Sequence, residues 1–172
     1  MSCYYYYYHN NMSSVIKAIA VFPGPKIKGT VCFTEDLING RVIIDVDLVG
    51  LKKSGLHGFH VHECGDMSDQ CESMCAHFNP YDVDHGGQDS KVRHVGDLGN
   101  IVTDSRGCAK YRFSDHMIKL RGTKSNIIGR GLIIHADEDD CGQGGDTASL
   151  ANGNAGKRIA CAVIGYRSSK KS

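Results

Sequence analysis

The strongest constraint on the fold is an alternation of apolar residues that recurs along the chain. In the segment RVIIDVDLV, an apolar residue stands at every second position from Val42 to Leu48. Successive side chains of a β-strand point to opposite faces, so this pattern predicts a strand with one buried face. Asn39 and Gly40, just before it, form the pair that tight hairpin turns favour, because both residues tolerate positive φ. We therefore expect this strand to pair with TVCFT at 30–34.

Six other segments have the composition of short strands. They are VIKAIAVF from Val15, GFHVH at 58–62, LGNIVT at 98–103, KYRFS at 110–114, GLIIH at 131–135 and IACAVIGY at 159–166. The chain has 21 glycines, three prolines and no sustained helical period. About eight short strands of this kind predict an antiparallel all-β sandwich or barrel.

Two segments are too long to be ordinary connections between strands, namely 63–95 and 136–158. Both are rich in Gly, Asp, Asn and Ser. Loops longer than about 12–15 residues inside a compact domain are usually functional or disordered. Because these loops carry several histidines, we predict that they form the functional site.

The size and charge of the chain favour a single domain. Its 172 residues are enough for a hydrophobic core. A net charge of +1 argues against binding to nucleic acid through a basic surface. No apolar run reaches the ~18 residues that a membrane span needs. We predict a domain at 15–167, followed by a basic tail at 168–172.

The first 14 residues, MSCYYYYYHNNMSS, form a separate low-complexity segment. They have neither the basic start nor the apolar stretch of a secretory signal, which predicts a cytoplasmic location. We predict that this leader at 1–14 is disordered. The alternative is an interaction arm of stacked tyrosines, or an extension of an edge strand.

Histidines are concentrated on one predicted strand and in the long segment after it. His60 and His62 are two residues apart, so their rings leave the same face of a strand. Two solvent-exposed histidines would have the same spacing, so this pair alone leaves both interpretations open. Further candidate ligands are His77, His85, His94, Asp97 and His135. Three histidines with a carboxylate suit zinc, whereas several imidazoles in a flattened arrangement suit copper(II).

Five motifs then bring a known family into view. GFHVHE, HFNP with HGG after it, RHVGDLGN, IIGRGLIIH and GNAGKRIACAVIG closely resemble the copper/zinc superoxide dismutases. The resemblance runs from about Val15 to Tyr166, and the histidine spacings fit the family pattern without a gap. It implies an eight-stranded antiparallel Greek-key sandwich or barrel, in agreement with the strand count.

The resemblance also implies one copper ion and one zinc ion per subunit. The implied copper ligands are His60, His62, His77 and His135. The implied zinc ligands are His77, His85, His94 and Asp97, with the ring of His77 bridging the two ions. In such a site copper cycles between two oxidation states and converts superoxide to oxygen and hydrogen peroxide. The implied catalytic role of His77 is to supply a proton.

Other residues are implied to support this chemistry. Arg158 takes the position of the arginine that docks superoxide, and a fixed guanidinium can orient an anion by hydrogen bonds as well as by charge. Asp139 matches an aspartate that links a copper ligand to a zinc ligand, and we expect it to pair with His62 and His85. His57 is expected to stand just outside the copper ligands.

Cysteines give one expected disulfide and one departure from the family. Cys71 and Cys161 match the intrachain disulfide of the family. Cys64 and Cys75 flank Cys71 on the same loop, and we expect them to be free thiols. Disulfide exchange among these three cysteines is the alternative. The states of the remaining cysteines stay open: Cys3, Cys32, Cys108 and Cys141.

The loop at 136–158 is a second departure from the family. It carries five acids against two bases, a net charge of −3. Thr147, Ala148 and Ala151 stand where charged residues are common in the family, and Asp137 stands near where a lysine is common. Focused fields raise association rates by about 10–10³-fold. We therefore expect weaker electrostatic steering of superoxide than is typical.

Two non-catalytic functions are alternatives to the enzyme. One is a copper-delivery or structural relative, and the other is a zinc-stabilised module that never loads copper. Such relatives are expected to lose copper ligands or the arginine, and this chain keeps all of them. The resemblance also implies a homodimer and allows a copper chaperone as a partner.

Overall fold

The fold is a sandwich of two antiparallel β-sheets. A computed structural model describes residues 15–168, so the predicted leader and most of the predicted tail lie outside the described residues. The strands are β1 (Val15–Pro23), β2 (Lys28–Asp36), β3 (Val42–Val49), β4 (Leu56–His62), β5 (Asp97–Val102), β6 (Ala109–Asp115), β7 (Gly131–His135), β8 (Arg158–Val163) and β9 (Gly165–Tyr166). One sheet has the strand order β6-β3-β2-β1-β9 and the other β5-β4-β7-β8. The predicted all-β class is confirmed.

The core between the sheets is built from alternate residues, as the sequence pattern predicts. On β3, Ile44 and Leu48 are buried, whereas Asp47 and Val49 are exposed. From the facing sheet Phe59 packs into the same hydrophobic core. Full burial of one such side chain contributes about 1.5–3 kcal/mol.

The predicted hairpin between β2 and β3 is present. The two strands are antiparallel, with Thr34 opposite Ile43. Gly40 has φ of 69°, and its amide donates to the Asp36 carbonyl at 2.8 Å. The turn is longer than the two-residue form, because the strands end at Asp36 and resume at Val42.

The last predicted strand, at 159–166, divides into two. At Ile164 the backbone leaves the second sheet: its amide donates to Arg130 at 3.0 Å, and its carbonyl accepts from Gly129 at 2.8 Å. Beyond this point Gly165 and Tyr166 pair with β1 in the other sheet. This crossing gives a ninth strand that the sequence pattern did not separate from the eighth.

Strand β4 is buried on both of its faces, and this places the histidines. Phe59 and Val61 face the hydrophobic core, and His60 and His62 are buried although they point the other way. A solvent-exposed pair is therefore excluded. The two connections after β4 and β7 cover this outer face.

Each long connection contains a short helix that the sequence analysis did not predict. The first, between β4 and β5, has a 3-10 turn at Glu72–Met74. The second, between β7 and β8, has a helix, α1, at Thr147–Asn152, which Asp146 caps by accepting from the Ser149 amide at 2.8 Å. Six residues are too few to show a helical period, although Asp146 and Gly153 are ordinary start and stop signals. Within residues 15–168, no helix has the length and apolar composition that crossing a membrane requires.

The expected disulfide joins the first connection to β8. Cys71 and Cys161 are bonded, with a sequence separation of 90 residues. A bond that closes so long a loop removes many conformations from the unfolded chain.

We predict that replacing Cys71 and Cys161 together by serine lowers the free energy of unfolding of the metal-free chain by about 4–5 kcal/mol. Urea unfolding under non-reducing conditions measures this change. The matched control is Cys108→Ser, a half-buried free thiol, for which we expect a change below about 1 kcal/mol. Equal unfolding midpoints for the double variant and the parent chain would contradict the prediction.

Candidate metal centre

Four buried histidines from three parts of the chain converge at one place. His60 and His62 come from β4, His77 from the first long connection and His135 from the end of β7. One ring nitrogen of each lies within 4.8 Å of those of all the others. Because β4 and β7 are antiparallel neighbours, the end of β7 is held against the strand that carries His60 and His62. We call this set the first cluster.

The rings of the first cluster are oriented by hydrogen bonds that leave one nitrogen of each ring unused. His62 Nδ1 donates to the Cys75 carbonyl at 2.9 Å, and His135 Nδ1 donates to the Gly156 carbonyl at 3.0 Å. The buried nitrogens without a hydrogen-bond partner are His60 Nδ1, His62 Nε2, His77 Nε2 and His135 Nε2. Unpaired buried polar atoms are costly, and a shared cation would satisfy all four at once. These donors therefore fit a metal ion that prefers imidazole, such as copper.

A second cluster surrounds the carboxylate of Asp97. The Nδ1 atoms of His77, His85 and His94 lie 3.0, 3.0 and 3.1 Å from its oxygens. His85 Nδ1 is close to the carboxylate but is not in hydrogen-bond geometry. The Gly86 amide donates to Asp97 at 3.2 Å and holds the carboxylate in place. Three imidazoles and one carboxylate are a typical zinc donor set.

The ring of His77 belongs to both clusters. Its Nδ1 faces Asp97 in the second cluster, while its Nε2 is one of the unpaired atoms of the first. Its ring centroid lies 4.1 Å from that of His60 and 5.5 Å from that of His94. A single imidazole with one nitrogen in each cluster is the arrangement that a bridging ligand needs.

Asp139 links the two clusters, but the predicted pairing with His62 is wrong. His60 Nε2 donates to Asp139 Oδ2 at 2.7 Å, and His85 Nε2 donates to Oδ1 at 2.8 Å. His62 cannot take the place of His60, because its outer nitrogen is already bound to the Cys75 carbonyl. His60 and His62 leave the same face of β4, so the sequence does not show which of them pairs with Asp139. The orientations of the two rings in the folded chain decide this.

Two residues that the sequence analysis passed over hold Asp139 in place. The Asn100 side chain donates to the Asp139 carbonyl at 2.9 Å and accepts from its amide at 2.8 Å. Gly153 has φ of 68°, and a Cβ there would lie 1.9 Å from Asp139 Oδ1 and 2.5 Å from His85 Nε2. Only glycine fits this position. Asn100 ends the motif RHVGDLGN, which was the available signal.

Arg158 lies beside the first cluster, as predicted. It lines a cavity of about 550 Å³ together with His62, His77 and His135. Its guanidinium donates to the carbonyls of Cys71 at 2.7 Å and Cys75 at 2.5 Å. The side chain is 19% exposed, so it is fixed by the protein and still reachable from the cavity.

His57 belongs to neither cluster. It is buried, and its Nδ1 donates to the His135 carbonyl at 2.8 Å. It thus supports the end of β7 from outside, where the sequence analysis expected it. The structure brings together all seven predicted ligand residues.

Burial and charge make the clusters electrically different. Burial, with a smaller effect of His77, lowers the pKa of His60 to about 3 and of His62 to about 2. Burial also lowers the pKa of His135 to about 4. These imidazoles are neutral near pH 7, as a metal ligand must be.

Two carboxylates determine the electrostatics of the second cluster: Asp97 within it and Asp139 beside it. Burial alone would lower the pKa of His85, but the hydrogen bond to Asp139 and the neighbouring negative charge of Asp97 raise it to about 9. Burial raises the pKa of Asp97, but the hydrogen bonds from His77 and His94 and the neighbouring His85 ring outweigh this and hold the pKa below its usual value. A negatively charged site for a dication is the result.

Comparison with known proteins decides the family. The model of the copper/zinc superoxide dismutase family matches residues 27–164. The chain belongs to this family. A Cu-Zn superoxide dismutase of Paramecium bursaria Chlorella virus 1 is 62% identical over 151 residues, covering 88% of this chain and 79% of the relative. The extracellular Cu-Zn superoxide dismutase of Drosophila melanogaster is 50% identical over 158 residues, covering 88% and 86%.

A solved structure supports the fold of this dismutase as well. The crystal structure of the clock protein EA4 superposes with a TM-score of 0.85 and 41% sequence identity, covering 92% of this chain and 99% of that one. The activity that follows from the family is the conversion of superoxide to molecular oxygen and hydrogen peroxide. The family also implies copper and zinc, for which the two clusters offer fitting donors.

We predict that the free energy of unfolding of the metal-free dismutase falls as the pH is lowered from 6.5 to about 4. The unfolded chain binds protons on its histidines below pH 6.5, whereas His60, His62 and His135 stay neutral in the fold. Each such group lowers stability by up to about 1.4 kcal/mol per pH unit. The raised pKa of His85 acts in another window, between pH 6.5 and 9, where its contribution is lost as the pH rises.

Urea unfolding of the metal-free chain at several pH values between 7 and about 4.5 measures this slope. His135→Gln should flatten it, because one neutral imidazole is removed. The exposed His116, replaced by Gln in the same way, is the control and should leave the slope unchanged. A stability that does not vary over this range would contradict the prediction.

Proposed function

We propose that this chain dismutes superoxide with one copper ion and one zinc ion per subunit. The proposed copper ligands are His60, His62, His77 and His135. The proposed zinc ligands are His77, His85, His94 and Asp97. The observation that carries the proposal is the set of four unpaired buried nitrogens beside three imidazoles gathered on one carboxylate.

Bound copper would supply a one-electron step that zinc, which has no redox chemistry, cannot. The chain's own residues would dock the substrate and handle the proton. Arg158, held by backbone carbonyls at the cavity, would bind the superoxide anion through charge and hydrogen bonds. His77, with Nδ1 fixed at Asp97, has only Nε2 available to take up a proton and pass it on to the reduced substrate.

Asp139 would keep the two halves of the site aligned. Each of its oxygens accepts from a different ring, His60 in the first cluster and His85 in the second. Outer hydrogen bonds of this kind fix the tautomer and the orientation of a ligand imidazole. Asp139 is therefore proposed as a positioning residue.

Metal content and activity, measured on the same freshly purified sample, test the proposed function. We expect one copper and one zinc per chain and cyanide-sensitive dismutation. Full metal content without activity would refute the enzyme and favour a structural or copper-delivery relative. A chain that takes up zinc and never copper would favour the zinc-stabilised module.

We propose three further properties: a homodimer, a cytoplasmic location and a copper chaperone as partner. Exposed apolar side chains on the disulfide loop and β8, including Met67, Ile159 and Val163, support a homodimer, which light scattering after size-exclusion chromatography would test. A cytoplasmic location stays a prediction, and cell fractionation would test it. A copper chaperone stays a prediction as well. Copper uptake in cells that lack such a chaperone would argue against it.

We predict that Arg158→Gln lowers kcat/KM by about 10–100-fold, because a hydrogen bond to a charged group contributes about 1.5–3 kcal/mol. Arg158→Lys should recover part of the loss, since it keeps the charge but not the planar fork. Steady-state kinetics at equal metal content measure both variants. Arg106→Gln, on an exposed turn, is the control. A parent-like kcat/KM in Arg158→Gln would contradict the docking role.

The charges of the second long connection bear on how superoxide reaches the site. Asp139 is buried, Asp140 accepts from Ser149 Oγ at 2.6 Å, and Asp146 caps α1. These acids stabilise the loop through hydrogen bonds, and their negative charge also makes the electrostatic potential near the cavity more negative. Ala151, exposed at the cavity, adds no positive charge to offset them.

We predict a shallow dependence of kcat/KM on salt, less than about threefold between 10 and 150 mM, over which the Debye length falls from about 30 to 8 Å. Ala151→Lys should raise kcat/KM at low salt and steepen the dependence. Ile38→Lys, on the remote β2–β3 turn and 87% exposed, is the matched control for net charge. A steep fall of the parent enzyme with salt would contradict the prediction.

A further inference from the structure

Cys64 and Cys75 face each other where the first long connection leaves and re-enters the sheet. His62 and His77 form an antiparallel bridge, and next to it the Glu63 amide donates to the Ala76 carbonyl at 3.0 Å. The next pair outward is Cys64 and Cys75. The Cys75 thiol donates to Cys64 Sγ at 3.2 Å, a distance that a small side-chain adjustment would shorten to the ~2.05 Å of a disulfide.

This sulfur contact is unlike the surroundings of the other free cysteines. Among the free cysteines of residues 15–168, only these two have a hydrogen bond from sulfur to sulfur. Cys75 is exposed and Cys64 is half-buried. Cys71, which lies between them in the sequence, is already bonded to Cys161, so Cys64 and Cys75 are the free thiols of this loop.

The backbone of Cys75 is part of the active-site framework. Its carbonyl accepts from His62 Nδ1 at 2.9 Å and from Arg158 Nη2 at 2.5 Å. Cys75 has φ of 63°, a conformation that residues other than glycine rarely adopt and that the surroundings must hold in place. A bond that fixes Cys75 would therefore fix His62 of the first cluster and Arg158 together.

We propose that Cys64 and Cys75 form a second intrachain disulfide when hydrogen peroxide, the product of dismutation, accumulates, and that this bond locks the carbonyl that positions Arg158 and His62. The two S–H bonds and the O–O bond of one peroxide molecule break, and one S–S bond and two water molecules form. The thiols lose two electrons and peroxide gains them. One thiol sulfur takes an oxygen atom as a sulfenic acid, and the other sulfur displaces it as water.

The pair lies next to the cavity in which peroxide would be formed, and the new bond would anchor the segment that binds Arg158. Ala76, the neighbour of Cys75, lines the cavity in which Arg158 and His62 lie, so peroxide is released one residue away from the pair. The segment from Cys71 to Cys75 is tied to β8 at one end by the disulfide Cys71–Cys161. The second bond ties the other end to the end of β4. The carbonyls of Cys71 and Cys75 that bind Arg158 are then held from both sides.

The chemical test exposes the metal-loaded full chain to one equivalent of added hydrogen peroxide. Mass spectrometry should show the loss of two hydrogen atoms, and peptide mapping without reductant should join the peptides of Cys64 and Cys75. Cys64→Ser and Cys75→Ser should each abolish this product, and Cys108→Ser should retain it. Exchange of Cys71 into a bond with either cysteine, or oxygen addition to Cys75 without a new bond, would overturn the proposal.

The positioning role needs a readout that is independent of activity. Amide hydrogen exchange across 71–76 should slow by at least about tenfold on oxidation, because opening of a clamped segment becomes rarer. Peroxide-treated Cys64→Ser is the control and should show no slowing. Unchanged exchange in the oxidised parent chain would overturn the positioning role.

The supply of peroxide rests on the proposed dismutase activity, and the thiol pair does not. Because the oxidant in the test is added, formation of the bond in an inactive, metal-loaded sample would refute the proposed function and support the pair. Dismutase activity without formation of the bond would support the proposed function and refute the Cys64–Cys75 disulfide.

Discussion

The carboxylate of Asp139 is the interaction on which the rest of the site depends. It lies on the second long connection, and its two oxygens bind His60 of β4 and His85 of the first connection. One buried side chain thus joins the sandwich to both loops that cover it. Asn100 fixes its backbone and Gly153 leaves room for it. The two histidine clusters keep a common orientation because they share this one carboxylate.

The metal-free site is assembled at a cost in stability. Its first cluster buries neutral imidazoles with unpaired nitrogens, and its second gathers three imidazoles on one buried carboxylate. A bound ion would pair these atoms, so metal binding and folding stability are coupled. The disulfide between Cys71 and Cys161 also stabilises the folded chain, because it restricts the unfolded chain whether or not metal is present.

The substrate side of the site depends on backbone carbonyls. Arg158 is held by the carbonyls of Cys71 and Cys75, and the second of these also holds His62. The geometry of the arginine is therefore coupled to the loop that carries the disulfide. A shift of the loop at Cys75 would therefore move the arginine and one ring of the first cluster together.

Much of this protein was predictable from its sequence, because the signals involved are local. Apolar alternation predicts β3 and its buried face, Asn39-Gly40 predicts the hairpin, and the spacing of His60 and His62 places both rings on one face. The family motifs predict the remaining ligand residues, and the ligand roles stay to be tested by metal analysis. The short helix α1 escaped prediction because six residues cannot display a helical period, although its capping residues were visible.

Only the tertiary structure decided the features that depend on which distant groups meet. Each histidine has two ring nitrogens, and the hydrogen bond to the Cys75 carbonyl left His60, and not His62, for Asp139. The last strand divides where both backbone groups of Ile164 are hydrogen-bonded outside the sheets, its amide to the Arg130 carbonyl and its carbonyl to the Gly129 amide. The contact between Cys64 and Cys75 arises because a long connection returns antiparallel to its own start. Sequence spacing sets which face a side chain leaves, but not which partner the folded chain brings to it.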